Sequence, residues 1–304
     1  MSAHLKRFNK TFEEVFADWV VANYLDAAEG PHSHLGADVR VSSIRRVSGP
    51  DDGEASVRQF ATDYLHVSPP AGGATLTFDG SDDVTFGVPL LDGPFWWSNR
   101  GDAIDSHLTR EFDLTGLTSA SLRYSAWFDT ERGWDYAYVA ASMDGGRTWK
   151  ALPGAHTVDY DPVGAAYGPG YTGESDGWIQ EEVDLSALVG QEVMLRFEYV
   201  TDDATNLTGF AVDNVEVPEL GFRDAADSAG DWKAQGFRRV EGPLRQRFIV
   251  QAIENDDPSR VRRVELDSQN RAQVRLDGPA TIVISGATDQ TAEAATYTWS
   301  VTGG

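Results

Sequence analysis

The sequence predicts a mainly β protein, an antiparallel jelly-roll or β-sandwich with a helical segment before it and a small C-terminal β domain after it. Three observations carry that reading. Apolar residues alternate with period two through the middle of the chain, as in Leu122, Tyr124, Ala126 and Phe128 and in Val193, Leu195, Phe197 and Tyr199. This is the pattern of strands with one buried face. Turn signals such as Asp144-Gly145-Gly146 and Asp176-Gly177 separate these runs with no helical pattern between them, which favours antiparallel sheets over βαβ units. Helical periodicity is confined to one stretch near the start.

That stretch is Thr11–Leu25, where Phe12, Val15, Phe16, Trp19, Val20 and Tyr24 form one wide apolar stripe. Thr11 and Glu14 have capping-box spacing, and Gly30-Pro31 closes the run. Residues 31–68 read as loop and short strands, so 1–68 is expected to be a helical remnant of something larger, with Phe12, Phe16 and Trp19 buried against a partner. Residues 69–218 are expected to form the sandwich. Residues 219–304 are expected to be a Gly/Asp/Ala-rich linker and a separate small β-sandwich, with strands near 248–253, 262–266, 273–276, 281–285 and 296–301.

Charge narrows the function. Lys and Arg number 25 against 48 Asp and Glu, a net of −23. Residues 69–236 alone hold 9 basic and 29 acidic side chains, whereas residues 237–304 hold nine of each. Such self-repulsion opposes a compact state unless bound divalent cations or a salty medium offset it; the plainer alternative is a solvated acidic surface. Nucleic acid is excluded as a partner of this segment, because phosphate binding needs the opposite sign. No apolar run approaches the ~20 residues of a membrane span, and the first residues lack the apolar core of a signal peptide, so an export signal is expected outside this chain. With no cysteine, redox compartment is not encoded.

Catalytic motifs are missing or decoys. The histidines His4, His32, His34, His66, His107 and His156 never begin His-Glu-x-x-His, the helical pattern that gives a zinc peptidase two ligands and a base. The pair His32 and His34 sits in a Gly/Pro-flanked loop, and Zn²⁺ is not expected in this chain. Gly173-Glu-Ser175-Asp-Gly177 matches the nucleophile elbow but lacks the strand before and helix after that the elbow requires; it reads as a turn. Ser142-Met-Asp144-Gly-Gly146-Arg-Thr148-Trp149 resembles the Asp-box hairpin of sialidases and other propellers. It is present once, whereas a propeller repeats it per blade, so it marks a hairpin. Acidic residues are too abundant here for a glycosidase carboxylate pair to be recognised. No catalytic residue is assigned.

Two binding features remain. Residues 152–177 form a long aperiodic stretch bearing Tyr160, Tyr167 and Tyr171, read either as a ligand-binding loop or as a rigid cover over the sheet. Calcium needs several converging oxygens. Asn99-Arg-Gly-Asp102-Ala-Ile-Asp105 is a compact turn rich in them, and Phe210–Val217 alternates, slips by one residue at Asp213-Asn214, then alternates again, as at a β-bulge that re-aims a side chain. The candidate Ca²⁺ ligands are Asp79, Asp102, Asp105 and Asp213; the alternative for Asp213 is a cap on a sheet edge. Arg100-Gly101-Asp102 also spells the adhesion tripeptide, but its neighbours Trp96-Trp97 argue for a packed site.

Trp96-Trp-Ser-Asn-Arg-Gly-Asp102, Leu108–Leu114, Gly133-Trp-Asp-Tyr-Ala-Tyr-Val139, Phe197–Asp203 and Phe210–Asn214 resemble the region downstream of the catalytic domain in immune inhibitor A-like metallopeptidases. The likeness covers most of residues 8–236, and Thr11–Leu25 is similar to a helix near the end of that family's catalytic domain. The resemblance implies an exported bacterial protein whose jelly-roll module binds Ca²⁺ and follows a zinc protease domain. The family's zinc motif would lie before residue 1, so no catalytic residue carries over. The leading reading is a non-catalytic accessory region that positions or stabilises a protease, with a peptidase domain or protein substrate as partner. The second is a stand-alone extracellular adhesion or glycan-binding module using the Tyr-rich loop. The third, an independent hydrolase, lacks any recognisable base and nucleophile.

Overall fold

The helical stripe forms a helix with the ends its residues dictate. In a computed structural model of the chain, which describes residues 10–27, 29–30, 32–33 and 41–303, α1 spans Phe12–Leu25. Thr11 caps it: the Thr11 hydroxyl accepts from Glu14 N–H while the Glu14 carboxylate accepts from Thr11 N–H, a complete capping box. Asp26, in the left-handed region, ends it.

Strands occupy most of the rest. β1 (Arg45–Ser48), β2 (Asp51–Val57), β3 (Thr62–Ser68), β4 (Ala74–Gly80) and β5 (Asp83–Val84) come first. The middle of the chain gives β6 (Phe95–Trp97), β7 (Asp105–Asp113), β8 (Ser121–Asp129), β9 (Tyr136–Ser142), β10 (Lys150–Leu152), β11 (Ile179–Asp184), β12 (Glu192–Val200), β13 (Gly209–Val217), β14 (Phe222–Asp224), β15 (Lys233–Gln235) and β16 (Arg238–Val240). The end gives β17 (Leu244–Arg245), β18 (Phe248–Glu254), β19 (Val261–Arg263), β20 (Arg271–Leu276), β21 (Ala280–Gly286) and β22 (Ala295–Gly303).

These elements form two units, residues 1–86 with 243–304, and residues 87–242. The boundaries expected near 68 and 218 are therefore not those of the structure. Segments 1–68 and 219–304 do not stand apart, because β3 pairs along its length with β21 and β2 with β22. In the first unit the sheet β1-β3-β21-β18-β19 packs on the sheet β2-β22-β4-β20. Their shared core includes Leu65, Phe78, Val250, Ile282, Ile284 and Trp299. The opposite face of the first sheet receives α1: Phe16, Val20 and Val21 meet Tyr64, Ile249, Ile253 and Val283. A sheet covered on both faces needs strands buried at successive positions, and β18 and β21 are buried almost throughout, mostly with apolar residues. Tyr64 OH donates to the Val20 carbonyl at 2.7 Å. Phe16 is buried as expected, but Phe12 and Trp19 are not: both stay about half exposed, and Phe12 packs edge-on against Phe60.

The second unit is a β-sandwich. The sheet β10-β9-β12-β7-β15 faces the sheet β11-β8-β13-β6-β16 across a core of Leu108, Tyr124, Val139, Leu195, Phe197 and Phe210, among others. Most of its principal strands fall alternately into one sheet and the other along the chain. The alternating residues picked out in β8 and β12 are the ones that point inward.

Candidate functional site

β13 carries the slip seen in the sequence as a true bulge. Its residues pair with β8 in register as far as Asp213, opposite Ser125, and pairing resumes at Glu216, opposite Arg123. Asn214 between them sits at φ +50°. The bulge turns Asp213 into the protein, where it is only 6% exposed. Its Oδ2 accepts from Asn214 Nδ2 at 2.7 Å, while Oδ1 is buried with no hydrogen-bond partner. Burial pushes its pKa up, and the carboxylates of Asp224 and Asp227 push it further; a backbone hydrogen bond at Asn214 and Arg223 pull the other way.

The acids around Asp213 are held by the chain itself. β14 pairs with β13, placing Asp224 opposite Val215. Asp224 accepts from Ala226 N–H at 2.7 Å and from Trp232 Nε1 at 3.1 Å. Arg239 donates to the carbonyls of Ala226 and Asp227, fixing the following loop. A buried carboxylate oxygen without a donor is costly. The carboxylates of Asp224 and Asp227 add negative charge in its neighbourhood, which makes the buried oxygen a candidate position for a hard cation that takes oxygen ligands.

The other three predicted metal ligands do not join Asp213. Asp79 lies on β4 in the first unit, paired with Arg271 Nε at 3.0 Å. Asp102 accepts from Asn206 Nδ2 at 2.6 Å, and Arg100 donates to Asn206 Oδ1 and O. The Arg-Gly-Asp turn is thus folded onto the loop before β13. Asp105 is close to His107 and Glu198 instead, and those three are the one group of potential metal ligands found together among the described residues. Strand neighbours decide this outcome. Asp105 and His107 share a face of β7, and Glu198 stands opposite His107 on β12.

The Tyr-rich stretch covers the outer face of the β9 sheet. Tyr136 OH donates to the Tyr160 carbonyl at 2.7 Å, and Tyr138 OH accepts from Tyr167 N–H at 3.1 Å. The Tyr167 ring, 72% exposed, stacks on Tyr138. Tyr171 is not a surface residue, contrary to expectation. It extends the edge of β9 opposite Ala137 and is fully buried, its hydroxyl bonded to Tyr124 OH and Glu181. Burial raises the pKa of both phenols, so neither ionises near neutral pH.

Two sequence decoys resolve as structural pieces. Asp144 accepts from the N–H groups of Arg147 and Thr148 and from both the Ser142 and Thr148 hydroxyls, which holds its pKa well below the usual carboxylate range. The Asp-box is the β9–β10 hairpin, and Arg196 stacks on its Trp149 with 3.7 Å to the ring centroid. Ser175 Oγ is occupied by the N–H and carbonyl of Phe128, a tie to β8 rather than a nucleophile. The pairing of His32 with His34 cannot be followed, because His34 lies outside the described residues.

Sequence reading missed two buried acids. Glu181 accepts from the N–H groups of Ala155, His156 and Glu182, from His156 Nδ1 and from Tyr171 OH. Asp135 is fully buried behind β9; it accepts from Asp202 N–H at 3.1 Å and from Tyr199 OH at 3.4 Å. Burial pushes its pKa up to about 6, with Asp202 and Glu131 adding to the rise. Nothing in an acid-rich sequence marks which carboxylates fold inward. No helix among the described residues is long and apolar enough to cross a membrane.

The comparisons with known proteins each match part of the chain. The chain is 33% identical over 160 residues to the pre-pro-metalloprotease PrtV of Vibrio cholerae serotype O1, covering 51% of this chain and 17% of that protein. It is 30% identical over 160 residues to immune inhibitor A of Bacillus thuringiensis subsp. alesti, covering 22% of that protein. A shorter stretch of 97 residues is 28% identical to bacillopeptidase F of Bacillus subtilis. The similarity thus spans about a fifth of the length of the first two relatives. The family model "Immune inhibitor A-like, MAM domain" matches residues 84–242; α1 lies outside that match, so the likeness once drawn for Thr11–Leu25 gains no support from it. Matched over just over half its length, and over a stretch that coincides with the sandwich at 87–242, this chain belongs to the immune inhibitor A-like family as a bearer of its MAM domain.

Proposed function

We propose that this chain is a non-catalytic, Ca²⁺-stabilised accessory region of an exported bacterial metallopeptidase, positioning or stabilising the protease. The family match supports the setting, since two of the relatives are by name a metalloprotease and immune inhibitor A. The unpartnered buried Oδ1 of Asp213 carries the calcium part. Asp213, Asp224 and Asp227 would hold the ion, which supplies charge compensation and no chemistry. In this reading the interleaved strand order of the sandwich is that of a jelly roll. Its partner would be a peptidase domain or that protease's protein substrate. The exposed rings of Trp134, Tyr160 and Tyr167 favour a second reading, a face that binds peptide or glycan on its own.

The test is thermal. A cation that binds only the native state stabilises by RT ln(1 + [L]/Kd), about 2.7 kcal/mol at a hundredfold excess over Kd. CaCl₂ should raise the melting temperature of the EDTA-treated protein beyond NaCl at matched ionic strength, and Asp213→Asn should abolish most of that difference. The purified chain should not hydrolyse casein, with or without Zn²⁺. An NaCl effect equal to that of CaCl₂ would sink the calcium reading, and casein turnover that a zinc chelator abolishes would sink the accessory one.

A further inference from the structure

The outer face of the sheet β10-β9-β12-β7-β15 carries an arrangement that the calcium reading does not use. His107 Nε2 lies 2.7 Å from Asp105 Oδ1 and 3.7 Å from Glu198 Oε1. That nitrogen is buried and makes no hydrogen bond of acceptable geometry. The other ring nitrogen, Nδ1, lies 3.4 Å from Gln235 Oε1 on β15. With Nδ1 donating to that amide oxygen, Nε2 faces the two carboxylates, as an N–H of the imidazolium or as the lone pair of the neutral ring. In the neutral ring that lone pair points at two acceptors, and either a proton or a metal cation supplies the missing partner.

We infer that Asp105, His107 and Glu198 form a divalent transition-metal site of the Zn²⁺ class, separate from the Asp213 bulge. Ligand atoms around tetrahedral zinc sit about 3.3 Å apart for bonds of about 2.0 Å, and these three lie within 4.8 Å of one another. One imidazole with two carboxylates suits zinc and its neighbours better than calcium, which takes oxygen alone. The supports are those of a built site. Gln235 fixes the imidazole through Nδ1, as the outer partners of metal-bound histidines do. Arg196 NH1 holds the other oxygen of Glu198, Oε2, at 3.5 Å. Its guanidinium also donates to Thr109 and stacks on Trp149, so it is committed away from Oε1. Asp105 is the exposed member and leaves a fourth position open to water or an incoming carboxylate. The expectation of no zinc rested on spacing along the chain. His107 and Glu198 are 91 positions apart in sequence and adjacent only through the β7–β12 ladder.

Zinc titrated into the EDTA-treated and desalted full chain, followed by calorimetry, tests the assignment. One saturable equivalent is expected. Its affinity should fall at least about a hundredfold in His107→Gln, and about tenfold or more in Asp105→Asn and in Gln235→Leu. Co²⁺ should give tetrahedral visible absorption that His107→Gln removes. Asp105 is exposed and its change to Asn should leave the melting temperature of the metal-free protein unaltered, which keeps the test valid if another variant misfolds. Asp213→Asn should bind zinc as the parent does. No saturable binding by the parent, or unchanged affinity in His107→Gln or Asp105→Asn, overturns the site and leaves an ion cluster; binding lost in Asp213→Asn merges the two sites and overturns it as well.

Discussion

Replacing Asp135 by Asn should stabilise the metal-free protein at neutral pH and not at low pH. The carboxyl is fully buried and has the Asp202 N–H at 3.1 Å, a backbone hydrogen bond at Glu131 and a long bond from Tyr199 OH. Burial raises its pKa from 3.8 to about 6. At about 1.4 kcal/mol per pH unit, holding the group ionised costs the native state about 3 kcal/mol. The native state therefore binds the proton more tightly than the unfolded chain. Stability associated with this group is fully present below about pH 4 and is lost as pH rises through about 6. Asn keeps the acceptor for Asp202 N–H and turns an NH₂ towards the Tyr199 oxygen without carrying charge. Urea unfolding in EDTA should show Asp135→Asn more stable than the parent by about 2–3 kcal/mol at about pH 7.5, with the gap closing near pH 4. A gap independent of pH, or a variant less stable at pH 7.5, would refute the reasoning and show that Asp135 gains more from its donors than it loses to burial.

Three further outcomes follow from the packing. Phe16→Ala should destabilise by about 3–5 kcal/mol in denaturant unfolding, whereas Trp19→Ala, 44% exposed, should cost less than about 1 kcal/mol. Equal effects would mean that α1 docks by another face. Gly209→Ala should lower the melting temperature sharply, because φ is +98° and a Cβ would come within 2.6 Å of the Asn99 carbonyl. Tyr171→Phe should cost about 1–3 kcal/mol in denaturant unfolding, since it removes the hydroxyl between Tyr124 and Glu181.

What was legible in the sequence was whatever depends on near neighbours. The α1 stripe and its Thr11–Glu14 cap, the inward alternation of β8 and β12, the Asp-box hairpin and the slip at Asp213 all involve residues a few positions apart, where dihedral preference and period act directly. Domain limits were misplaced because a linker-like composition at 219–236 looks the same whether the chain leaves a domain or re-enters one. Here β18, β21 and β22 return to pair with β3, β4 and the β2 edge. The grouping of the metal candidates was hidden for the same reason. Asp79, Asp102, Asp105 and Asp213 were named from an oxygen-rich turn, a strand slip and a family likeness, but which acids come together is set by ladder register and loop closure. Asp224 and Asp227 sat unnoticed in a stretch read as linker.

Three acids buried in the sandwich differ in how their charge is met. The unit 87–242 holds 27 acidic and 11 basic side chains, and most of the acids face water, where repulsion is screened within about 10 Å at 0.1 M salt. Burial removes that screening, so each inward carboxylate must be met by donors. Glu181 is met by three backbone N–H groups, a phenol and an imidazole, and its folding into the core is already compensated. Asp135 has backbone hydrogen bonds at Asp202 and Glu131 and a long one from Tyr199 OH, too few to offset burial, which pushes its pKa up to about 6; it can relieve the deficit by taking a proton. Asp213 draws its donors from Asn214 alone, its Oδ1 has no hydrogen bond, and two further carboxylates raise its pKa. A proton would neutralise Asp213 alone and leave the charges of Asp224 and Asp227 unmet. On the proposed calcium reading, a divalent ion would offset this charge, so calcium dependence should be lost in Asp213→Asn and should survive replacement of Asp135.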